Sequence, residues 1–131
     1  MIFFSKIIFY ISLLFLVIIS LYPGSLIGYF LYGNLSQQPD LISNPYGTTI
    51  NHLVCYIYIS IIGFFIYNKT KYFRKLLYTL FFLSITLELA HLLIPKRSFQ
   101  IEDLVANILG VIIAYCVIKI IYYFVKKYEQ I

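Results

Sequence analysis

Long apolar runs separated by short polar segments dominate the chain, and they predict a helical protein that crosses a membrane. A transmembrane helix needs about 20 consecutive, mostly apolar residues. Four runs satisfy this requirement, at residues 2–22, 50–67, 76–94 and 103–124. Because these runs use most of the 131 residues, we expect one all-α membrane bundle of four transmembrane helices over residues 1–131, without a separate soluble domain.

The connections between the runs differ in length and composition. Residues 23–49 form the longest connection, and its first part, 26–32, is aromatic but too short to span a bilayer. Tyrosine favours the membrane interface, so we expect a short interfacial helix or lid there, followed by a polar loop. The other two connections are short, which predicts antiparallel neighbours. Proline cannot continue the helical hydrogen-bond ladder, so Pro95 is expected to end the third helix.

Composition and charge support the membrane interpretation. Hydrophobic residues make up 62% of the chain, whereas soluble domains are roughly half apolar. The net charge of +5 does not predict a nucleic-acid partner, because the basic residues flank the apolar runs, where they orient helices. The positive-inside rule predicts that both termini are cytoplasmic, since this topology leaves most basic residues inside. The inside set is Lys6, Lys69, Lys71, Arg74, Lys75, Lys119, Lys126 and Lys127.

The first run has an alternative interpretation as a cleaved signal peptide, because a lysine precedes it and a Pro-Gly pair follows it. A cleavage site requires small residues at alternating positions. The end of the run, Ser20-Leu21-Tyr22, supplies a single small residue. A retained transmembrane helix is therefore favoured.

Two cysteines lie within the predicted spans. The predicted spans that contain Cys55 and Cys116 begin on the same side of the membrane. Measured from that side, the depths of the two cysteines differ by roughly 12 Å at 1.5 Å per residue. This separation is too large for a disulfide. We expect both side chains to be buried in apolar packing.

Polar side chains are sparse inside the apolar runs, and they recur at helical spacing. Residues three and four apart share one helix face, which pairs Glu88 with His91 and Asp103 with Asn107. The predicted topology brings these groups and His52 to the outer side of the membrane. Intramembrane polar groups are costly and mark functional sites by default. The candidate pocket residues are His52, Tyr56, Glu88, His91, Arg97, Asp103 and Asn107, and the candidate helix-packing residues are Gly110 and Ala114.

Each candidate also has a structural interpretation. Glu88 is either a proton acceptor or a partner of a nearby histidine or arginine. Arg97 either holds a phosphate or carboxylate or pairs with Asp103 or Glu102. Asn107 either orients a ligand or forms an interhelical hydrogen bond.

Metal and nucleophilic chemistry have weaker support. Two histidines and two carboxylates suit zinc or iron, but di-iron bundles use two Glu-x-x-His motifs with additional glutamates, and this chain has one. We therefore predict no metal site and no cofactor. The serines follow no nucleophile motif, and neither cysteine has an activating environment, so the sequence leaves open whether the protein is an enzyme.

The polar residues of the last two helices form a pattern that resembles the signature of VanZ-like membrane proteins. His52-x-x-x-Tyr56 is similar to that family's second-helix motif, and the resemblance spans residues 48–114. The signature pattern is Glu88-x-x-His91-x-x-x-Pro95-x-Arg97-x-x-x-x-x-Asp103-x-x-x-Asn107-x-x-Gly110. The departures are Thr48 and Thr49 in place of the usual Asp-Lys, His91 in place of the usual Gln, and Ala114 in place of a frequent Gly.

The resemblance implies a single VanZ-like domain in a small multi-pass protein of the bacterial cytoplasmic membrane. The family is named for a protein linked to low-level resistance to the glycopeptide teicoplanin. The predicted function is binding of an anionic lipid or lipid-linked glycan intermediate in an outward pocket, with membrane lipids as partners. Two alternatives remain open: an accessory subunit of a larger membrane complex, and a membrane-embedded hydrolase or transferase using Glu88 and His91.

Overall fold

The structure, a computed structural model, describes residues 2–39 and 47–128. These two ranges contain five α-helices and no strand, which confirms the all-α class. Residues 40–46 of the predicted outer loop, with residue 1 and residues 129–131, lie outside the described residues. The helices are α1 (Ile2–Leu21), α2 (Leu26–Tyr32), α3 (Thr49–Tyr67), α4 (Phe73–Ala90) and α5 (Ile101–Tyr128).

Three of the described helices, α1, α3 and α5, are long and apolar enough to cross a membrane. The fourth predicted span corresponds to α4, which has 18 residues. At 1.5 Å per residue this helix is about 27 Å long, close to the roughly 30 Å of a bilayer's hydrocarbon core. It also contains Arg74, Lys75 and Glu88. These charges lower its hydropathy, so the fourth span is not confirmed.

The end of α4 differs from the prediction. The helix stops at Ala90, not at 94, so the prediction that Pro95 ends it is wrong. The amides of His91, Leu92 and Leu93 donate to carbonyls three residues earlier, at 3.1, 3.1 and 2.9 Å. Proline disfavours the helical conformation in the residue before it. In this chain the α-helix has already given way to a tighter turn before that residue is reached. Glu88 consequently lies in the last turn of α4.

The centre of the bundle is the contact between α3 and α5, the most extensive between any two helices of the described chain. Gly110 of α5 makes this contact close, because a Cβ there would lie 2.7 Å from Tyr56 Cβ and 2.9 Å from the Leu53 carbonyl oxygen. Small residues allow such approach in membrane bundles. Ala114 is fully buried one turn further along α5.

The connection between α1 and α3 begins with the short helix α2. The Ser25 hydroxyl accepts a hydrogen bond from the Gly28 amide at 2.9 Å, which satisfies one free amide at the helix start. Gly33 ends α2 with a φ of 67°, a conformation that glycine adopts without steric cost. The Asn51 side chain donates to the Pro39 carbonyl at 2.9 Å, so the connection is tied to the start of α3.

Both cysteines lie on the outside of the bundle. Cys55 and Cys116 are free and exposed. The prediction that they are buried in packing contacts is therefore wrong.

Candidate functional site

The polar side chains identified in the sequence meet at one end of the bundle, where α1 and α4 end and α3 and α5 begin. Glu88, His91, Asp103 and Asn107 are almost fully buried, with exposed fractions of 1%, 4%, 4% and 2%. His52 is half-buried beside them. We call these five residues the polar cluster.

A hydrogen bond joins Glu88 to His91. His91 Nε2 lies 3.1 Å from the Ser20 carbonyl oxygen, and His91 Nδ1 lies 3.2 Å from Glu88 Oε1. A carbonyl oxygen only accepts hydrogen bonds, so Nε2 carries a hydrogen. The contact between Nδ1 and Glu88 Oε1 then requires one further proton, on either the imidazole or the carboxyl group. This pair therefore bridges α4 to the C-terminal end of α1.

His52 lies between Asn107 and Asp103. The Asn107 side-chain nitrogen donates to the Ser84 carbonyl at 3.4 Å, so its oxygen is the atom that accepts from His52 Nδ1 at 3.2 Å. His52 Nε2 then faces Asp103 Oδ2 at 3.4 Å. The other Asp103 oxygen accepts a hydrogen bond from the Thr49 hydroxyl at 2.6 Å. The histidine ring is thus oriented by one amide and directed toward one carboxylate.

One oxygen of Glu88 has no hydrogen-bond partner. Glu88 Oε1 contacts His91 and accepts from the Gln100 amide at 3.3 Å, but Oε2 is buried without a partner among the described residues. The Tyr56 hydroxyl is in the same condition. Both residues line a cavity of about 80 Å³ between the helices. This inner cavity therefore contains an unpaired carboxylate oxygen.

A second cavity, of about 160 Å³, lies on the loop side of the polar cluster. We call it the outer cavity. His52 and His91 line both cavities. The outer cavity adds two cations, Lys96 and Arg97, and the carboxylate of Asp103. The two histidines therefore lie between an inner cavity lined by the Glu88 carboxylate and an outer cavity lined by two cations and the Asp103 carboxylate.

Arg97 contacts the end of α1. Its Nη2 donates to the Ile19 carbonyl at 2.6 Å and its Nε to the Tyr22 carbonyl at 3.4 Å. Carbonyl oxygens in the last turn of a helix have no amide partner within the helix. The Arg97 guanidinium donates hydrogen bonds to carbonyls at this end of α1 instead. No carboxylate lies within 4 Å of Arg97 in residues 2–39 and 47–128. The alternative that it pairs with Asp103 or Glu102 is therefore wrong.

A family model described as VanZ/LLP1 matches residues 4–122. The chain belongs to the VanZ/LLP1 family. The resemblance drawn from the polar signature is thus confirmed, and the match contains every residue of the polar cluster. Neither a curated protein nor a solved structure matched this VanZ/LLP1 chain.

Sequence reasoning missed several groups that build the site in this VanZ/LLP1 protein. Thr49 contacts Asp103, and it precedes His52 by three residues on the same helix face, a spacing that could have identified it. The carbonyls of Ser20 and Ser84 also orient cluster residues. Every residue has a backbone carbonyl, so the sequence contained no signal for these two.

The polar cluster also brings together three ligands of the kind that bind metal ions. One donor atom each from His52, Glu88 and Asp103 lies within 4.8 Å of the other two. His91 is not part of this group, because both of its ring nitrogens already face acceptors.

Proposed function

We propose that this VanZ/LLP1 protein crosses the bacterial cytoplasmic membrane with four helices and binds an anionic lipid, or a lipid-linked glycan intermediate, from the outer leaflet. The observation that carries the proposal is the outer cavity. This cavity places two cations, Lys96 and Arg97, beside the buried polar cluster at one end of the bundle.

The proposed topology has α4 as the fourth spanning helix and both termini in the cytoplasm. Leu80, Ser84 and Leu87 of α4 are buried in the bundle, so α4 packs as an integral member. Its charged residues lie in its first and last turns, which leaves an uncharged stretch between them. The excess of lysine and arginine at the opposite end from the polar cluster supports an outward orientation of the cluster.

The charges around the outer cavity suit an anion. Lys96 and Arg97 are opposed by the one carboxylate of Asp103. Burial lowers the pKa of the Arg97 guanidinium, and the negative charge of Glu88 partly opposes this change. Arginine nevertheless stays charged in proteins. Two of its five N–H groups form hydrogen bonds to the described residues, so three, including both on Nη1, remain for phosphate oxygens.

The inner cavity suits a hydrogen-bond donor. Glu88 Oε2 is an unpaired acceptor, and an unsatisfied buried polar group costs about 1–3 kcal/mol. A hydroxyl group would satisfy it. Together, the two cavities favour a ligand that has a phosphate and a neighbouring hydroxyl, as a glycerol or sugar phosphate has. Volumes of about 80 and 160 Å³ fit a headgroup, with the acyl chains remaining in the bilayer.

Binding of phosphatidylglycerol to the purified protein, measured by native mass spectrometry, tests the proposal. Loss of a charged hydrogen bond costs about 1.5–3 kcal/mol, which corresponds to about 10- to 100-fold weaker binding. We expect this loss in Lys96→Asn. The matched control is Lys71→Asn, an exposed lysine outside both cavities, which should bind like the wild type.

A double variant, Glu88→Gln with Arg97→Ala, tests the pocket as a whole. If this variant folds and retains the same bound lipids as the wild type, the proposed pocket is wrong. Headgroup turnover that Glu88→Gln abolishes would instead indicate a hydrolase or transferase. A stoichiometric complex with another protein, independent of lipid, would indicate an accessory subunit.

Family membership also supports a link to teicoplanin-type resistance. Deletion of the gene should lower the teicoplanin concentration that inhibits growth, and the wild-type gene should restore it. Restoration by the double variant to the wild-type level would separate the resistance role from the pocket.

A further inference from the structure

We propose that His52, Glu88 and Asp103 form a binding site for a divalent transition-metal ion such as zinc. One donor atom from each lies within 4.8 Å of the others. Glu88 and Asp103 are almost fully buried, at 1% and 4% exposure. The site does not rest on the proposed lipid function, because it is defined by the arrangement of these three side chains alone, but it uses the Glu88 oxygen that the lipid proposal assigns to a ligand hydroxyl.

Each of the three side chains has one polar atom that is hydrogen-bonded to a neighbouring residue and one that is not. We call these hydrogen bonds outer contacts; in metal sites they orient the ligands and select the atom that binds. The held atoms are His52 Nδ1 on Asn107, Asp103 Oδ1 on Thr49, and Glu88 Oε1 on His91 and Gln100. The atoms left for a metal ion are His52 Nε2, Asp103 Oδ2 and Glu88 Oε2.

The contact between His52 and Asp103 fits two ligands of one ion. His52 Nδ1 donates to Asn107, so the uncharged tautomer carries its lone pair on Nε2, which lies 3.4 Å from Asp103 Oδ2. A charge-assisted hydrogen bond would be shorter, about 2.7–2.9 Å. Ligands at about 2.0–2.2 Å from a tetrahedral zinc ion lie about 3.3–3.6 Å apart. The observed separation therefore agrees better with a shared cation.

Glu88 supplies an independent observation. Its Oε2 is buried and has no hydrogen-bond partner among the described residues, and the residue lines the inner cavity. Oε2 lies 3.9 Å from His52 Nδ1, and Nε2 is the farther ring nitrogen. The donor atoms of the three residues lie within 4.8 Å of one another, so a shift of up to about 1.5 Å would bring them to the spacing of ligands in a tetrahedral site.

Charge and ligand type favour a dication of the zinc class. Buried carboxylates are costly without compensating positive charge, and a bound dication adds positive charge beside Glu88 and Asp103. A set of one imidazole and two carboxylates suits zinc or iron better than calcium, which prefers six or more oxygens. Three protein ligands leave a fourth position open. Both cavities adjoin the site through His52, so this position is accessible to water or to an anionic oxygen.

Zinc binding to the detergent-purified full chain, without a polyhistidine tag and after treatment with a chelator, tests the site. Calorimetry should give about one zinc ion per chain for the wild type. Asp103→Asn and His52→Gln remove ligands and should weaken binding by more than about tenfold. Thr49→Val removes an outer contact and should weaken it about tenfold. Glu102→Gln changes the adjacent, exposed acid and should bind zinc as the wild type does.

The thermal unfolding of the wild type gives a readout that needs no variant. A metal that binds the folded state stabilises it, so zinc should raise the unfolding temperature and a chelator should reverse the increase. Absence of stoichiometric zinc binding in the wild type would overturn the site. It would equally be overturned if folded Asp103→Asn and His52→Gln bound zinc within about fivefold of the wild type, because ligand loss costs more than an outer contact.

Discussion

The C-terminal end of α1 depends on Arg97. The N-terminal half of α1 is held by Phe9, which is buried in the core, and by the hydrogen bond between the hydroxyls of Tyr10 and Tyr67 at 2.7 Å. At the C-terminal end the described polar contacts are hydrogen bonds from Arg97 and His91 to backbone carbonyls. Replacement of Arg97 by alanine should therefore loosen one end of the helix and leave the other in place.

The magnitude follows from the short bond. The contact of Arg97 Nη2 with the Ile19 carbonyl is 2.6 Å long, whereas that of Nε with the Tyr22 carbonyl, at 3.4 Å, contributes little. A hydrogen bond from a charged group contributes about 1.5–3 kcal/mol. Since 1.4 kcal/mol corresponds to a factor of ten, local opening of the last turns of α1 should become about 10- to 100-fold more frequent.

Hydrogen exchange followed by mass spectrometry, on protein reconstituted in nanodiscs, measures this opening directly. Peptides that cover the last turns of α1 should exchange faster in Arg97→Ala, while those around Phe9 should not change. Lys96→Asn is the matched control, because it removes the adjacent positive charge, and asparagine tolerates the φ of 60° at this position better than most residues.

Two outcomes would refute this reasoning. Unchanged exchange at the C-terminal end of α1 in Arg97→Ala would mean that the guanidinium does not anchor the helix. An equal increase in Lys96→Asn would mean that positive charge in the loop, and not the hydrogen bond, is responsible.

Three further predictions concern packing and topology. Gly110→Ala should lower the free energy of unfolding by about 1–3 kcal/mol through overpacking. A truncation of the neighbouring, exposed Leu109 is the control and should not have this effect. An unchanged unfolding temperature in Gly110→Ala would contradict the close approach of α3 and α5. Tyr56→Phe should be neutral or stabilising by up to about 1 kcal/mol in thermal unfolding, because its buried hydroxyl has no hydrogen-bond partner among the described residues; a clear destabilisation would reveal a partner. In a cysteine-free background, an impermeant thiol reagent should label Ser98→Cys in intact cells and Lys69→Cys only after permeabilisation, and the reverse pattern would invert the topology.

Local periodicity made much of the polar cluster predictable. The pairing of Glu88 with His91, and of Asp103 with Asn107 on one face, depends only on the helical repeat. Short connections then bring helix ends together, which placed His52 near both pairs. Polar residues are conspicuous in apolar helices because they are costly there, so the sequence contained a strong signal for this region.

The faces of the apolar helices were less predictable. Cys55 and Cys116 were expected inside the bundle and lie outside it. In a membrane, the surroundings of a bundle are as apolar as its interior, so hydrophobicity does not distinguish the two sides of a helix. Only the polar and small residues report which face points inward.

The partners of Arg97 and the end of α4 depend on tertiary structure. Arg97 bonds backbone carbonyls of α1, and a carbonyl carries no sequence signature. The early end of α4 reflects the turn that leads into Pro95 and Lys96. Because proline only prevents a helix from continuing past it, the position of Pro95 gives the last residue at which α4 could end and not the residue at which it does end.

Mass spectrometry of the lipids that co-purify with the protein from its native membrane tests the central claim most directly. A pocket that pairs a phosphate with Lys96 and a hydroxyl with Glu88 should enrich a phosphate-bearing lipid or lipid-linked glycan over its share in the bulk membrane. Lys96→Asn should remove the enrichment, and Lys71→Asn should keep it. Co-purified lipids with the composition of the bulk membrane, in the wild type and in both variants, would contradict the claim.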